Sequence, residues 1–181
     1  MELSDAINKR RSIRKYKNKD VEESLILELL ESARKCQSAR NRQPWLFKVL
    51  KNDKKNHIAD LMNDWSKEES STKEGHRRSV EHTANIIKEA PILILTLYKR
   101  DPDWLTGDIL SIGAAIEHIC LKATDLDLGA LWICNTDCIK KKISEYIGYE
   151  DLDMISAIAI GYSDEYPEER PRKELEEIII V

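Results

Sequence analysis

Phenylalanine is almost missing, with one residue in 181. Glycine and proline are sparse at six and five, which excludes a fibrous or low-complexity chain. Four cysteines, Cys36, Cys120, Cys134 and Cys138, are too few and too scattered for a disulfide-stapled scaffold. Cys134 and Cys138 lie near each other, but no second Cys or His pair completes a zinc site, so no metal is expected. The longest apolar run, Ile92 through Tyr98, falls far short of the roughly 20 residues that cross a bilayer. The opening Met1-Glu2-Leu3-Ser4-Asp5 carries charge where a secretory signal needs an apolar stretch. A cytoplasmic protein without membrane contact is therefore expected. Basic charge is also short: Lys+Arg is 29 against Asp+Glu 33, a net −4 that argues against a broad nucleic-acid surface. There is no Walker loop and no G-x-G-x-x-G fingerprint. His57, His76, His82 and His118 fall in predicted helices with no nucleophile spaced for a dyad, so no catalytic side chain is assigned.

Hydrophobic residues make up 41% and charged residues 34%, enough for a real core. With no repeat or Gly/Ser linker, residues 1–181 read as a single domain with a C-terminal extension from about 165. Residues 2–10 read as a short helix. Asp20 opens a second, with Glu23 placed for a capping box. Trp45–Lys51 alternates like a strand. Lys54–Trp65 and His76–Glu89 read as helices, and the polar stretch Ser66–Gly75 between them as a mobile connection. Ile92–Leu97 is apolar on both faces and suits a central, covered strand. Asp108–Asp127 has Ile109, Ile112, Ile116, Ile119, Ala123 and Leu126 at helical spacing, with Gly129 as its stop. Leu131–Cys134 and Met154–Ile160 read as strands, and Asp137–Ile147 as a helix. The chain closes on Ile178-Ile179-Ile180-Val181, an aggregation hazard if bare. It should be a strand, either in its own core or added to a partner's sheet edge.

Four stretches could carry chemistry. Arg10-Arg11-Ser12-Ile13-Arg14 gathers three guanidinium groups, whose planar forks match phosphate; a solvated basic turn would look the same. Asn41 and Gln43 in Ser38–Trp45 present donor and acceptor together, as the edge of a uracil-like ring requires, or simply form a polar loop. Leu128–Cys134 offers small residues and an apolar wall at Trp132 for a flat ligand, or packs as a short core strand. Arg170-Pro171-Arg172-Lys173 is a second cationic cluster, or a solvated surface. Together they suit a flat, phosphate-bearing cofactor held by side chains.

The order of these stretches resembles the nitroreductase family of FMN-dependent oxidoreductases. Arg10–Tyr16 is similar to its opening signature. Ser38–Trp45 is similar to its Pro-Ser-x-x-Asn-x-Gln-Pro-Trp segment, Ile112–Glu117 and Leu128–Ile133 to its central helix and following strand, and Arg170–Val181 to its closing segment. The resemblance implies an α+β fold with a central mixed sheet flanked by helices. It implies a homodimer with FMN at the interface and a C-terminal strand extending to the partner subunit. Arg10, Ser12, Arg172 and Lys173 would hold the phosphate and ribityl chain, Arg11 would belong to the same cofactor-binding set, and Arg14 would lie near the pyrimidine ring. Gln37, Ser38, Ala39 and Asn41 would reach the flavin from the other subunit, Gln43 would belong to the same cofactor-binding set, and the backbone around Trp132, Ile133 and Cys134 would face N5. NADH or NADPH would donate electrons, and a nitroaromatic or quinone would accept them in a ping-pong cycle. Departures from the family pattern fall at Gln37, Ser111, His118, Asp127, Cys134, Asn135 and Glu174. Those at Cys134-Asn135 keep open a non-catalytic flavin sensor of the same fold, and reductive dehalogenation or flavin fragmentation remain as other chemistries.

Overall fold

The computed structural model describes residues 1–68 and 74–180. Its elements run α1 (Leu3–Lys9), α2 (Glu23–Arg34), β1 (Trp45–Lys51), α3 (Asn52–Lys67), α4 (Glu74–Glu89) and β2 (Ile92–Tyr98). They continue with α5 (Leu105–Asp125), β3 (Gly129–Ile133), α6 (Lys140–Ile147), β4 (Asp153–Gly161) and α7 (Leu175–Ile178). The strands form one sheet in the order β1-β2-β4-β3.

Every residue of β2 is buried, because both faces of the sheet are covered. Ile92, Ile94 and Tyr98 pack with Leu29, Ile112, Ile116 and Ile119, side chains of α2 and α5. Leu93, Leu95 and Leu97 point the other way, into Ile58, Met62, Ala84 and Ile87 of α3 and α4. This is the period-two alternation of a strand, with an apolar layer on each side. Each such Leu or Ile contributes roughly 1.5–3 kcal/mol by leaving water.

The sheet expected to be mixed is antiparallel in all its named pairings, β1–β2, β2–β4 and β3–β4. The parallel component is a single bridge, Ser12 to Ala130, which lays the N-terminal segment along the outer side of β3. Two helix boundaries also differ from expectation. Glu22, not Asp20, caps α2, and no side chain caps that end. At the end of α5 the left-handed residue is Asp127, with φ 57°, not Gly129. Leu128 N–H bonds Ala123 O at 2.8 Å and Asp127 N–H bonds Thr124 O at 3.2 Å, the paired bonds of a Schellman ending. Asp tolerates that conformation better than most side chains. Gly129 is instead the first residue of β3.

Among the described residues, the C-terminal segment forms no strand. Leu175–Ile178 is one helical turn, closed by a capping box between Glu174 and Glu177. Ile178, Ile179 and Ile180 are exposed, Ile180 completely. Through Ile180 the segment therefore does not complete the chain's own core; Val181 lies outside the described residues. The mobile connection expected at Ser66–Gly75 falls largely outside them too: α3 runs to Lys67, α4 starts at Glu74, and residues 69–73 are not described.

Candidate functional site

The segment after α1 is locked to the sheet by its odd residues and by Tyr16. Ile13 is buried, and its N–H bonds Ala130 O at 3.0 Å. Tyr16 is buried as well, and its hydroxyl donates to Ile13 O at 2.8 Å and Ala159 O at 3.2 Å; burial pushes this phenol well above its usual range. Two glycines make the close approach possible. A β-carbon on Gly129 would lie 2.7 Å from Ile13 Cγ2, and one on Gly161 would lie 2.9 Å from Tyr16 Cδ1.

Because residues 10–14 are extended, alternate side chains diverge. Arg10 turns to α5, where its Nε sits 3.4 Å from the half-exposed Glu117. Arg14 Nη1 donates to Ser12 O at 3.0 Å, and among the described residues no carboxylate pairs with that guanidinium. Arg11 goes the other way. Its Nη1 donates to Asn8 O at 2.7 Å and Arg10 O at 2.9 Å, and its Nη2 lies 3.6 Å from Glu169 of the tail. The three-arginine cluster is therefore split: Arg10, Ser12 and Arg14 share one side, and Arg11 stands on the other. A cavity of about 630 Å³ lies on the Arg11 side, among Lys9, Arg11, Ile13, Lys17 and Tyr162.

Strand β3 is one of the two outer strands of the sheet. Ala130 spends its carbonyl on Ile13, outward. By the alternation of an antiparallel pair, the N–H and C=O of Trp132 point the same way. Past Ala130 no segment of the described chain covers that edge, so Trp132 leaves an open donor and acceptor. Its indole lies over α5, with Cη2 3.7 Å from where a β-carbon of Gly113 would be. The side chain of Ile133 is buried in the core, leaving only its backbone for a ligand. Cys134 is exposed just beyond the strand.

The carboxamide loop sits on the first turns of α5. Ala39 N–H donates to Ser111 Oγ at 3.0 Å, and Ser111 Oγ donates to Gly107 O at 2.6 Å. Gln43 N–H donates to Ser38 Oγ at 3.0 Å, and Gln43 Nε2 to Asn41 Oδ1 at 3.2 Å. Gln37, Asn41 and Gln43 are exposed. Arg42 donates to both carboxylate oxygens of the buried Asp108, at 2.9 and 3.1 Å, and to Asp101 at 2.8 Å. Those bonds, Asp108's foremost, hold the guanidinium pKa above its ordinary value. Trp104 lies against both neighbours, its ring centre 4.9 Å from Arg40 Cζ and 5.0 Å from Arg42 Cζ. A cavity of about 450 Å³ opens beside the loop, lined by Arg42, Leu46, Lys99, Arg100 and Asp108.

Helix α5 thus carries two part-sites in series. Asp108 and Ser111 anchor the loop, while Gly113 and Glu117 receive Trp132 and Arg10. At 1.5 Å per residue, Asp108 and Glu117 stand about 14 Å apart along the axis. Between them Ile109 and Leu110 are 41% and 69% exposed, although the periodicity placed Ile109 in the core. Arg172 and Lys173 are exposed in the tail and make no hydrogen bond or ion pair among the described residues, so this chain alone does not bring them to Arg10. Asp108 was not singled out from the sequence, and Gly113 and Glu117 entered only as part of the Ile112–Glu117 stretch, with no role of their own. Asp108 had a signal: an acid four residues before Ile112, in register with the apolar stripe, must be paired or costly.

Comparison with known proteins gives this geometry a family. The model of the Nitroreductase family matches residues 7–162, and the chain belongs to that family of oxidoreductases. YfhC of Bacillus subtilis (strain 168), provisionally named an NAD(P)H nitroreductase, is 26% identical over 174 residues, 94% of this chain and 89% of its own. A Clostridium acetobutylicum protein provisionally described as an NADH oxidase is 31% identical, with TM-score 0.74 over 97% of this chain and 98% of that one. The FMN- and NADPH-dependent nitroreductase NfnB from a Sphigopyxis strain shares the fold, with TM-score 0.82 and 18% identity over 100% and 99% of the two chains. Among the described residues, no helix is long and apolar enough to cross a membrane.

Proposed function

We propose that this protein is a homodimeric, FMN-dependent oxidoreductase that takes electrons from NADH or NADPH and passes them to an electron-poor acceptor such as a nitroaromatic or quinone. The observation that carries the reading is the open edge of β3 beside a one-sided Arg10–Ser12–Arg14 row. Among the described residues, a backbone N–H and C=O at Trp132 without a partner and a guanidinium at Arg14 without a carboxylate partner are what a flat heterocycle with a phosphate tail needs. These residues fit FMN, and relatives of this chain are named for FMN and NAD(P)H.

In this reading Arg10 and Ser12 bind the phosphate and ribityl chain, joined by Arg172 and Lys173 when the tail folds over a partner. Arg14 places positive charge beside the pyrimidine ring, where preorganised charge favours electron uptake. The Trp132 backbone orients the ring, and its indole shields one side from water. Cys134 borders the same edge. Bound FMN supplies the two-electron chemistry, and the chain supplies binding, orientation and charge. With the flavin carrying the redox step, this chemistry requires no protein nucleophile.

Helix α5 supports the dimer. Ile109 and Leu110 are bare apolar side chains between two part-sites, and Ile178–Ile180 are bare at the end of a reaching tail. A two-fold contact across α5 would cover the first pair and bring Gln37, Ser38, Ala39, Asn41 and Gln43 of one copy to the arginine row of the other. Steady-state kinetics test the scheme. Varying nicotinamide and acceptor together should give parallel double-reciprocal lines, the pattern of two separate half-reactions. Intersecting lines contradict the two-step scheme. Flavin binding without reduction by either nicotinamide would turn the assignment to the non-catalytic sensor.

A further inference from the structure

We infer that Asp108 is a positioning residue for the cofactor site: through Arg42 it fixes the shape of the Ser38–Gln43 loop and so the aim of Asn41. The inference rests on the FMN reading above and assigns Asp108 no contact with the cofactor itself.

The loop is held in a costly shape. Arg40, Asn41 and Gln43 have φ of 48°, 55° and 49°, and none is glycine. The left-handed region is disfavoured for any side chain, so three such residues in four positions persist only if their surroundings over-determine them. The surroundings are one helix end. Asp108 is 1% exposed and takes both donors of the Arg42 fork. Arg42 lies between Asn41 and Gln43, so fixing its side chain constrains the backbone on both sides. Trp104 packs on Arg40 and Arg42 together, and Asp101 takes the remaining Arg42 bond. The Ala39 to Ser111 bond pins the loop's other end, and Gly107 leaves room for it, since a β-carbon there would meet Ala39 Cβ at 3.2 Å.

Burying a carboxylate is expensive, and a hydrophobic residue in its place often serves stability as well or better. A charge kept in the apolar register of α5 is better explained by what it orients than by stability. It keeps Asn41 and Gln43 in one arrangement, exposed and ready, before any ligand arrives. Such preorganisation raises affinity by removing the ordering cost from binding.

A double-mutant cycle on FMN affinity separates positioning from plain structural support. Asp108→Asn keeps the shape and removes the charge; it should weaken FMN binding at least tenfold. Asn41→Ala should weaken it as well. The double variant should bind no worse than Asn41→Ala alone, because Asp108 acts through that loop. Fully additive losses would overturn the inference, as would unchanged affinity in Asp108→Asn. If Asp108→Asn does not fold, Arg42→Lys replaces it in the cycle, since Lys keeps the charge and loses the fork; the same coupling is expected and additivity again overturns the idea. Amide hydrogen exchange on the flavin-free protein gives a readout independent of FMN. The Gln43 amide, bonded to Ser38, should exchange at least tenfold faster in the variant while α2 amides stay unchanged. Equal Gln43 rates overturn positioning. A wild-type protein that binds no FMN would instead sink the parent reading.

Discussion

Gly113 and Glu117 stand one turn apart on α5, and they receive Trp132 and Arg10 respectively. The Trp132 ring reaches within 3.7 Å of the missing Gly113 β-carbon, and Arg10 Nε lies 3.4 Å from Glu117. One helix face therefore sets the spacing between the open strand edge and the first phosphate-binding candidate. The N-terminal segment, β3 and α5 converge there because Ile13 is wedged against Gly129.

The split of the arginine cluster makes a paired prediction. Arg10→Ala should weaken FMN binding about 10- to 100-fold, the loss of a charge-assisted bond worth roughly 1.5–3 kcal/mol. Arg11→Ala should leave it within about threefold, because Arg11 faces the tail. Equal losses in both, measured by flavin fluorescence titration, contradict the one-sided row.

Gly129→Ala should destabilise the flavin-free protein by about 1–3 kcal/mol, since the added carbon meets Ile13. The displaced segment should also lower FMN affinity. A denaturant midpoint equal to wild type contradicts the wedge.

Deleting residues 174–181 should give monomers or aggregates on sizing, because bare Ile178, Ile179 and Ile180 are read as partner contacts. An unchanged dimer contradicts that role.

Thiol chemistry should report the same geometry. Cys134 is exposed, whereas Cys36 and Cys120 are buried, and burial pushes Cys120 up to about 12 and Cys138 up to about 11. A raised thiol pKa leaves little thiolate at neutral pH and more as pH climbs toward that value. Near pH 8 a disulfide reagent should label Cys134 first. Cys138 should quicken as pH rises toward 11, and FMN should protect Cys134. Labelling of Cys134 at the same rate with and without FMN contradicts its place beside the cofactor.

Much of the fold was legible because its signals are local. Trp45–Lys51 alternates, Ile92–Leu97 is apolar on both faces, and α5 repeats at helical spacing; each forms close to where the pattern puts it. What escaped depends on tertiary context. Asp127 takes a turn usually given to glycine because Leu128 and Ala123 complete the ending around it. Gly129 is small to admit Ile13, a residue far away in sequence. Ile178–Ile180 has strand composition, but a strand needs an edge to pair with, and this chain offers none that it reaches. In the candidate site the residue types were readable, while the divergence of Arg11 from Arg10 and the burial of Asp108 required the packing of α5.

The central claim is that a flavin phosphate binds this chain. Mixing the purified protein with FMN, removing free FMN by gel filtration and recording the visible spectrum tests it most directly. The account predicts flavin absorbance that travels with the protein at about one equivalent per chain, and loss of most of it in Arg10→Ala. A colourless protein peak, with all the FMN recovered as free ligand, contradicts it.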